Sequence, residues 1–169
     1  MKIFISTIFS ILIATYSFSQ INELSDDIYD AILINDISLI EIERTKGDSL
    51  QLSSLIGNVV ELKRKEYGIE SDNELIYYFE GLQLYFSRLC QSDNYCLVNF
   101  EARSITVSNI KLEIGKSISS FKHKLKFNIG LNGEKSIIFT RGQADCCPIV
   151  VEYDNDTEIV TRIFFFEQT

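Results

Sequence analysis

An internal repeat constrains the fold of this chain more than any other feature of its sequence. The segment IEIERTKGDSLQLSSLI at 40–56 resembles IKLEIGKSISSFKHKLK at 110–126: in both, a short alternating lead precedes glycine, a charged residue and serine. The aligned glycines are 68 residues apart, and LQLYFS at 82–87 resembles IVVEYD at 149–154 at an offset of 67. An offset that persists across two separate blocks predicts two similar halves.

Each half is predicted to begin with a helix. Ser49 and Ser117 suit the N-cap position, where a hydroxyl accepts a hydrogen bond from an amide of the first turn. After Ser117, apolar residues recur at intervals of three and four, which places them on one face of a helix. Gly57 can end the first helix.

Antiparallel strands are predicted to follow each helix. In the last hairpin, a three-residue loop at 154–156 places the apolar residues of both strands on one side, and register normally follows the buried face. The six residues on that side are Ile149, Val151, Tyr153, Ile159, Ile163 and Phe165. In the first half, the predicted core residues are Tyr77, Phe79, Leu84, Phe86, Val98 and Phe100. The predicted strands are 75–80, 82–90, 96–103, 135–140, 148–154 and 158–167.

These elements predict a single α+β domain over 20–169. It consists of two tandem units, about 38–105 and 106–169, each a helix plus an antiparallel sheet. The segment NELSDDIYDAILIND at 22–36 is predicted to form an extra N-terminal helix outside the repeat, with Leu24, Ile28, Ala31 and Ile32 facing inward.

The Gly-Asp-Ser and Gly-Lys-Ser helix starts and the strand pair YYFEGLQLYF give the chain a resemblance to a known group. It resembles β-lactamase-inhibitor-protein-like folds and a small outer-membrane lipoprotein of the barrel-assembly machinery. The resemblance covers about 40–167 and implies tandem units whose sheets form one curved surface that binds other proteins. The chain differs from that group in its extra N-terminal helix, and it has neither a lipid-anchor cysteine nor a tryptophan.

Residues 1–19 have the features of a secretory signal peptide. Lys2 provides the positive charge, an apolar run follows from Ile3 to Ala14, and Ser17 and Ser19 are small residues before the predicted cleavage point. We therefore expect a secreted or periplasmic protein without a stable membrane anchor after cleavage. The formal net charge is -8, and losing Lys2 makes it -9, so nucleic acid is not an expected partner.

The sequence contains no motif of a metal, cofactor or catalytic site that we could identify. His123, the only histidine, lies between Lys122 and Lys124 on the predicted polar side of a helix, and we expect it at the surface. The acidic run DNDTE at 154–158 lacks the glycine and the late glutamate of an EF-hand loop, so we expect a plain turn. We therefore predict a protein that is not an enzyme and that has no cofactor.

The four cysteines favour disulfide chemistry in a secreted protein. Cys90 and Cys96 flank a five-residue loop between two predicted strands, and cross-strand neighbours can meet disulfide geometry. If the halves are related by translation, Cys146 and Cys147 lie at the opposite end of the sheet, about 23 Å from the first pair. On that premise we expect a Cys90–Cys96 bridge, with Cys146 and Cys147 either bonded to each other or present as thiols.

One face of the predicted sheet carries the aromatic and arginine side chains that are enriched in protein interfaces. The sequence leaves open whether the N-terminal helix or a loop covers this face. The predicted binding residues are Tyr78, Tyr85, Arg103, Arg162, Phe164 and Phe166, with Gln83 and Asn99 on the same side.

The leading hypothesis is therefore a secreted, non-catalytic module that binds a protein partner through this sheet face. An inhibitor or immunity-type protein that blocks a basic enzyme is a second hypothesis, since the acidity of the chain suits such a target. A small secreted hydrolase that uses paired carboxylates is a third hypothesis, from a different class.

Overall fold

The computed structural model describes residues 20–67, 70–91, 94–129, 135–142 and 148–166, and it is a mixed α+β structure. The predicted signal peptide at 1–19 lies outside the described residues. Among those residues, no helix has the length and hydropathy that a membrane crossing requires. The helices are α1 Asp26–Asp30, α2 Leu39–Arg44 and α3 Ser49–Ile56, with a 3-10 helix at Ser119–Lys124. The strands are β1 Asn22–Leu24, β2 Leu33–Ile34, β3 Ile37–Ser38, β4 Glu61–Tyr67, β5 Glu70–Phe79, β6 Leu82–Gln91, β7 Asn94–Ala102, β8 Ser104–Val107, β9 Ile110–Glu113, β10 Asn128–Ile129, β11 Lys135–Arg141, β12 Ile149–Tyr153 and β13 Val160–Phe166.

A large mixed sheet forms most of the molecule. Its strand order is β1-β11-β12-β13-β7-β6-β5-β4, and β10 also pairs with β11. The pairing of β1 with β11 is parallel, whereas the other pairs are antiparallel. The six strands predicted from alternation correspond to β5, β6, β7, β11, β12 and β13, while β4 was not predicted.

The two halves of the large sheet meet through their last strands. Phe164, Phe165 and Phe166 of β13 pair antiparallel with Glu101, Phe100 and Asn99 of β7. Translation of one unit onto the next would instead place β13 beside β5. In this strand order the two three-stranded segments face each other as if rotated by half a turn, so the premise of a translational repeat is wrong.

A second, four-stranded sheet has the order β3-β2-β8-β9. Both of its hairpins have two-residue loops whose central residues have positive φ: Asn35 and Asp36 in one, Ser108 and Asn109 in the other. Positive φ at both loop positions matches the twist of the flanking strands. The Asn35 amide donates to the carbonyl of Gly81, and its Oδ1 accepts from the Ser104 amide, both at 2.8 Å, so this loop is tied to the β5–β6 turn.

The hydrophobic core lies between one face of the large sheet and a layer made of the helices and the small sheet. Leu52 of α3, Ile42 of α2 and Ile105 of β8 are fully buried in the same cluster as Phe86 and Phe100. We call the sheet face toward this cluster the inner face. Five of the six residues predicted as core in the first half, all except Val98, are buried there.

Two β-bulges explain the errors in the predicted inner face. Phe86 pairs with Leu97 while Tyr85 pairs with Asn99, so Val98 is the extra residue and Leu97 is buried in its place. An extra residue in one strand shifts the alternation of side chains by one position.

The last hairpin contains the second bulge. Val151 pairs with Ile163, but Tyr153 pairs with Val160, so Val160 is buried at 1% exposure and Ile159 is 38% exposed. The connection is longer than the predicted three residues and spans 154–159. Because the register differs from the prediction by an even number of residues, Ile149, Val151, Tyr153, Ile163 and Phe165 keep their buried face as predicted.

The N-terminal segment differs from the predicted helix over 22–36. Asn22–Leu24 is a strand, α1 has five residues, and Leu33–Ile34 is again a strand. Strand pairing with β11 and β8 takes both ends of the segment out of the helix. Leu24 and Ile32 are buried as predicted, while Ala31 is exposed.

The two predicted repeat helices also differ from each other. Helix α3 spans Ser49–Ile56, but its N-cap is Asp48, whose carboxylate accepts from the amides of Leu50 and Gln51. The second forms a 3-10 helix at Ser119–Lys124, in which no residue is buried. Ser117 does not start an α-helix because its segment forms an isolated bridge with Ile159.

Candidate functional site

The candidate site is the face of the large sheet that points away from the core, which we call the outer face. Cross-strand pairing aligns Tyr78 with Gln83, Gln83 with Glu101, and Glu101 with Phe164. A second row aligns Lys63, Ile76, Tyr85 and Asn99. The outer face is defined by Glu61, Lys63, Tyr78, Gln83, Tyr85, Asn99, Glu101, Arg162 and Phe164.

An ion pair and an aromatic ring meet on β7 and β13. The Arg162 guanidinium donates to the Glu101 carboxylate, and this hydrogen bond is the main cause that raises the pKa of Arg162. Its Cζ lies 4.4 Å from the centroid of the Phe164 ring, within the range of a cation–π contact. Both charged side chains remain almost half exposed.

A second cluster of the same kind lies at the other end of the row. The ammonium of Lys63 is 4.7 Å from the centroid of the Tyr78 ring and 3.5 Å from the carboxylate of Glu61. The nearby Glu61 charge is the main cause that raises the pKa of Lys63. Each of the two cations of the outer face thus has one carboxylate partner and one aromatic ring.

The centre of the outer face is less exposed and less charged. The Tyr85 hydroxyl donates to Gln83 Oε1 at 2.6 Å, and burial is the main cause that raises the pKa of Tyr85. Ile76 points to this side by register and is only 2% exposed. Asn99 pairs with Tyr85, and its Oδ1 is buried and accepts no hydrogen bond from the described residues.

A groove of about 570 Å³ opens at the end of the outer face, beside the β5–β6 turn. Arg103 follows β7 at its edge, is 71% exposed in its side chain, and lies 3.6 Å from the Glu113 carboxylate. Ile114 adds an apolar wall with 40% exposure. The lining residues are Tyr78, Phe79, Gly81, Leu82, Gln83, Glu101, Ala102, Arg103 and Ile114.

Four of the predicted binding residues, Tyr78, Tyr85, Arg162 and Phe164, share the outer face, and Arg103 lies at the groove. The backbone of Phe166 pairs with Asn99, while its side chain lies outside the described part of the structure. Sequence reasoning missed Glu101, although strict alternation between Asn99 and Arg103 could have found it. It also missed Lys63 and Glu61, because the charged strand β4 lacks the alternation of apolar residues that predicts a strand.

The cysteine predictions fall largely outside the described side chains. Cys96 is disulfide-bonded, and it is the only cysteine whose side chain the structure describes. The Cys90 side chain, Cys146 and Cys147 are not described. Ile149 at the start of β12 is level with Phe165 and Phe100, so the β11–β12 connection leaves the sheet at the same end as the β6–β7 connection. The expected separation at opposite ends is therefore wrong, and the Cys90–Cys96 pairing stays a prediction.

The acidic turn and the histidine are as expected. Asp154 Oδ1 accepts from the amides of Asp156 and Thr157 and from the Thr157 hydroxyl, which lowers the pKa of Asp154. This is a hydrogen-bonded turn. His123 is exposed in the 3-10 helix. Within the described residues, no group of three or more His, Cys, Asp or Glu side chains is arranged to hold a metal ion.

Comparison with known proteins gives little further information. The chain matches no known protein family profile, and no curated protein is significantly similar to it. A cysteine-rich secretory protein from Staphylococcus aureus has a similar solved structure at a TM-score of 0.42 and 12% identity; the match covers 89% of this chain and 51% of that one. The present chain thus spans about half of that protein, and a TM-score of this size supports no conclusion about fold or function.

Proposed function

We propose that the chain is a non-catalytic, secreted module that binds a protein partner through the outer face of its large sheet. The observation that carries this proposal is that Tyr78, Tyr85, Arg162 and Phe164 lie on the same face of the sheet, from β5, β6 and β13, exposed or half-buried. Tyrosine, phenylalanine and arginine are the residue types that dominate the energetics of protein interfaces.

The position of the helices supports this proposal. Residues of α1, α2, α3 and the small sheet are buried in the core cluster on the inner face, including Tyr29 of the N-terminal helix α1. None of the helices within the described residues therefore packs over the outer face. A partner could reach Phe164 and Tyr85 without displacing a helix.

The distribution of charge also supports a protein partner. The chain carries a net charge of -8, yet the two cations of the outer face, Lys63 and Arg162, are balanced by Glu61 and Glu101. Interface centres are typically depleted of unbalanced charge. The acidic remainder of the surface would steer a basic partner toward the molecule.

The proposal is tested by capture of a partner from the envelope fraction on the immobilised chain, followed by cross-linking from the outer face. The double variant Tyr85→Ala and Phe164→Ala is expected to weaken capture at least about 100-fold, since two interface aromatics each contribute roughly 2 kcal/mol or more. The matched control is Leu50→Ala, which removes an 81% exposed apolar side chain from helix α3.

Capture that is equal for the double variant and the wild-type chain would refute the outer face as the binding site. If the captured partner is an enzyme whose activity is lost in the complex, the inhibitor hypothesis applies. The hydrolase hypothesis has less support, because Glu101 is the single carboxylate among the described lining residues of the groove. Glycoside hydrolysis normally needs two facing carboxyl groups.

A further inference from the structure

Strand β4 forms one edge of the large sheet. It spans seven residues, Glu61–Tyr67, and pairs with β5 on one side, and no other described strand pairs with it. The opposite sheet edge is built differently, because two short strands, β1 and β10, lie along β11. An edge strand of this length offers a row of backbone donors and acceptors to an added strand.

The charge of β4 is opposite to that of the molecule as a whole. Lys63, Arg64 and Lys65 follow one another in a chain whose net charge is -8. Lys63 is partly neutralised by Glu61 at 3.5 Å. Arg64 is exposed, and no described carboxylate lies within ion-pair distance of it. Among the described residues, its guanidinium therefore has no carboxylate partner.

Apolar side chains lie beside these cations. Val60 is 74% exposed and Leu62 is 39% exposed, and the Val60 amide donates to the carbonyl of Tyr78, which extends the pairing to the start of β4. An incoming strand would therefore meet backbone hydrogen-bonding groups, with Leu62 and Arg64 on one side of β4 and Lys63 on the other. Backbone pairing supplies affinity in strand addition, and the side chains supply specificity.

We propose that β4 accepts an extended acidic segment of another protein as an added strand. The occupant is acidic because carboxylates opposite Lys63 and Arg64 would form cross-strand ion pairs, whereas lysine or arginine there would repel them. A second copy of this chain is less suitable, because antiparallel pairing centred on Arg64 places Lys63 opposite Lys65. The site shares Lys63 with the outer face, but it uses the free backbone edge of β4 instead of Tyr85 and Phe164, and it goes beyond the proposed partner binding.

The test uses two seven-residue peptides, Val-Glu-Glu-Val-Glu-Glu-Val and the same peptide with lysine in place of glutamate, because paired charges present glutamate to both sides of the added strand, where Lys63 and Arg64 lie. We expect the acidic peptide to slow amide hydrogen exchange in β4 at least about tenfold at saturation, while the lysine peptide has no effect. Equal protection by both peptides would overturn the charge argument. Slower exchange that depends on protein concentration, without peptide, would assign the edge to a second copy instead. If neither peptide slows exchange, the proposal is overturned, and the charges of β4 serve only to prevent edge-to-edge pairing.

A charge-reversal variant makes the test specific. Arg64→Glu is expected to weaken binding of the acidic peptide at least about tenfold, a loss of about 1.4 kcal/mol. Lys116→Glu makes the same change of charge at another exposed cation and should change binding less than about twofold. The Tyr85→Ala and Phe164→Ala double variant should bind the peptide normally, so that failure here and failure of the outer face are separate results. Equal peptide affinity of Arg64→Glu and wild type would overturn the proposal.

Discussion

The two faces of the large sheet use aromatic side chains in different ways. On the inner face, Phe100 is fully buried and stacks on Phe165 with ring centroids 5.4 Å apart. On the outer face, Phe164 and Tyr78 are half-buried, and each is approached by a cation from the same sheet. The inner rings face the layer of helices and the small sheet, whereas in the described part of the chain no helix lies over the outer rings.

This difference separates stability from recognition. A ring buried against other apolar groups contributes its full transfer free energy to the fold. A ring that is only partly buried contributes less to folding and retains area that a partner can bury. The same residue type on adjacent positions of β13, Phe164 and Phe165, is therefore expected to serve two purposes.

The largest expected effect is the loss of an inner aromatic. Phe100→Ala should lower the free energy of unfolding by about 3–5 kcal/mol, because it removes a fully buried ring and leaves a cavity. Phe164→Ala, the matched change on the outer face, should cost less than about 1.5 kcal/mol. Urea unfolding measures the free energy of unfolding of both variants. Similar losses would mean that Phe164 contributes to the stability of the fold as much as the buried Phe100 does.

The second effect concerns a glycine that contacts the inner face. Gly47 has φ of 73°, its carbonyl accepts from the Tyr77 hydroxyl at 2.6 Å, and an added Cβ would lie 3.2 Å from Phe86 Cγ. Gly47→Ala should lower the free energy of unfolding by about 1–3 kcal/mol, because backbone strain and crowding against Phe86 add up. Thermal unfolding can measure this loss of stability.

Gly115 is the matched control, because it is aligned with Gly47 in the predicted repeat. Its φ is 85°, but nothing lies within 4 Å of an added Cβ. Gly115→Ala should therefore cost only the backbone part, roughly 1 kcal/mol. If the two substitutions cost the same, contact with the inner face contributes nothing at Gly47.

A smaller effect is expected for the ion pair of the outer face. A double-mutant cycle of Arg162→Ala and Glu101→Ala should give a coupling energy of at most about 1 kcal/mol, as is usual for exposed pairs. The coupling should shrink in about 1 M salt, where the screening length is about 3 Å. A coupling energy well above about 1 kcal/mol that does not change with salt would mean that this ion pair contributes substantially to the stability of the fold.

The smallest effect is a pH dependence at the layer that covers the inner face. Burial raises the pKa of Glu43 on α2, with Arg141 opposing and Asp30 adding to the shift. Between the unfolded and folded pKa values the native state holds more protons, so stability falls as the pH rises through that interval. Glu43→Gln should remove this fall, which urea unfolding between about pH 4 and pH 7 can follow. An unchanged pH profile would contradict the shift.

Alternation of side chains predicted much of the large sheet. All six predicted strands were found, because period-two alternation is a local property of the sequence. Of the two misplaced core residues, Val98 is the extra residue of one bulge and Ile159 lies just before the other, and a bulge is set by pairing with a neighbouring strand. The N-terminal strand β1 was missed for the same reason, since its partner β11 is distant in sequence.

The sequence predicted the outer face better than the order of its strands. Tyr78, Tyr85, Arg162 and Phe164 could be placed on one side from alternation alone. Which strands are neighbours depends on how the two halves meet, and the repeat suggested translation where β13 pairs antiparallel with β7. Similarity between two segments of a sequence does not specify the symmetry that relates them. The prediction that the two cysteine pairs lie at opposite ends of the sheet assumed translation and was wrong for this reason.

The parallel pairing of β1 with β11 has a consequence for the order of folding. Asn22 donates to the carbonyl of Ile138, 116 residues further along the chain, so the start of the domain is fixed only after its last hairpins exist. Strands β4 to β7 are consecutive hairpins and can assemble early from local contacts. Because long-range pairing slows folding, the N-terminal segment is expected to dock late. During synthesis, which begins at the N-terminus, β1 would stay unpaired until β11 has been made.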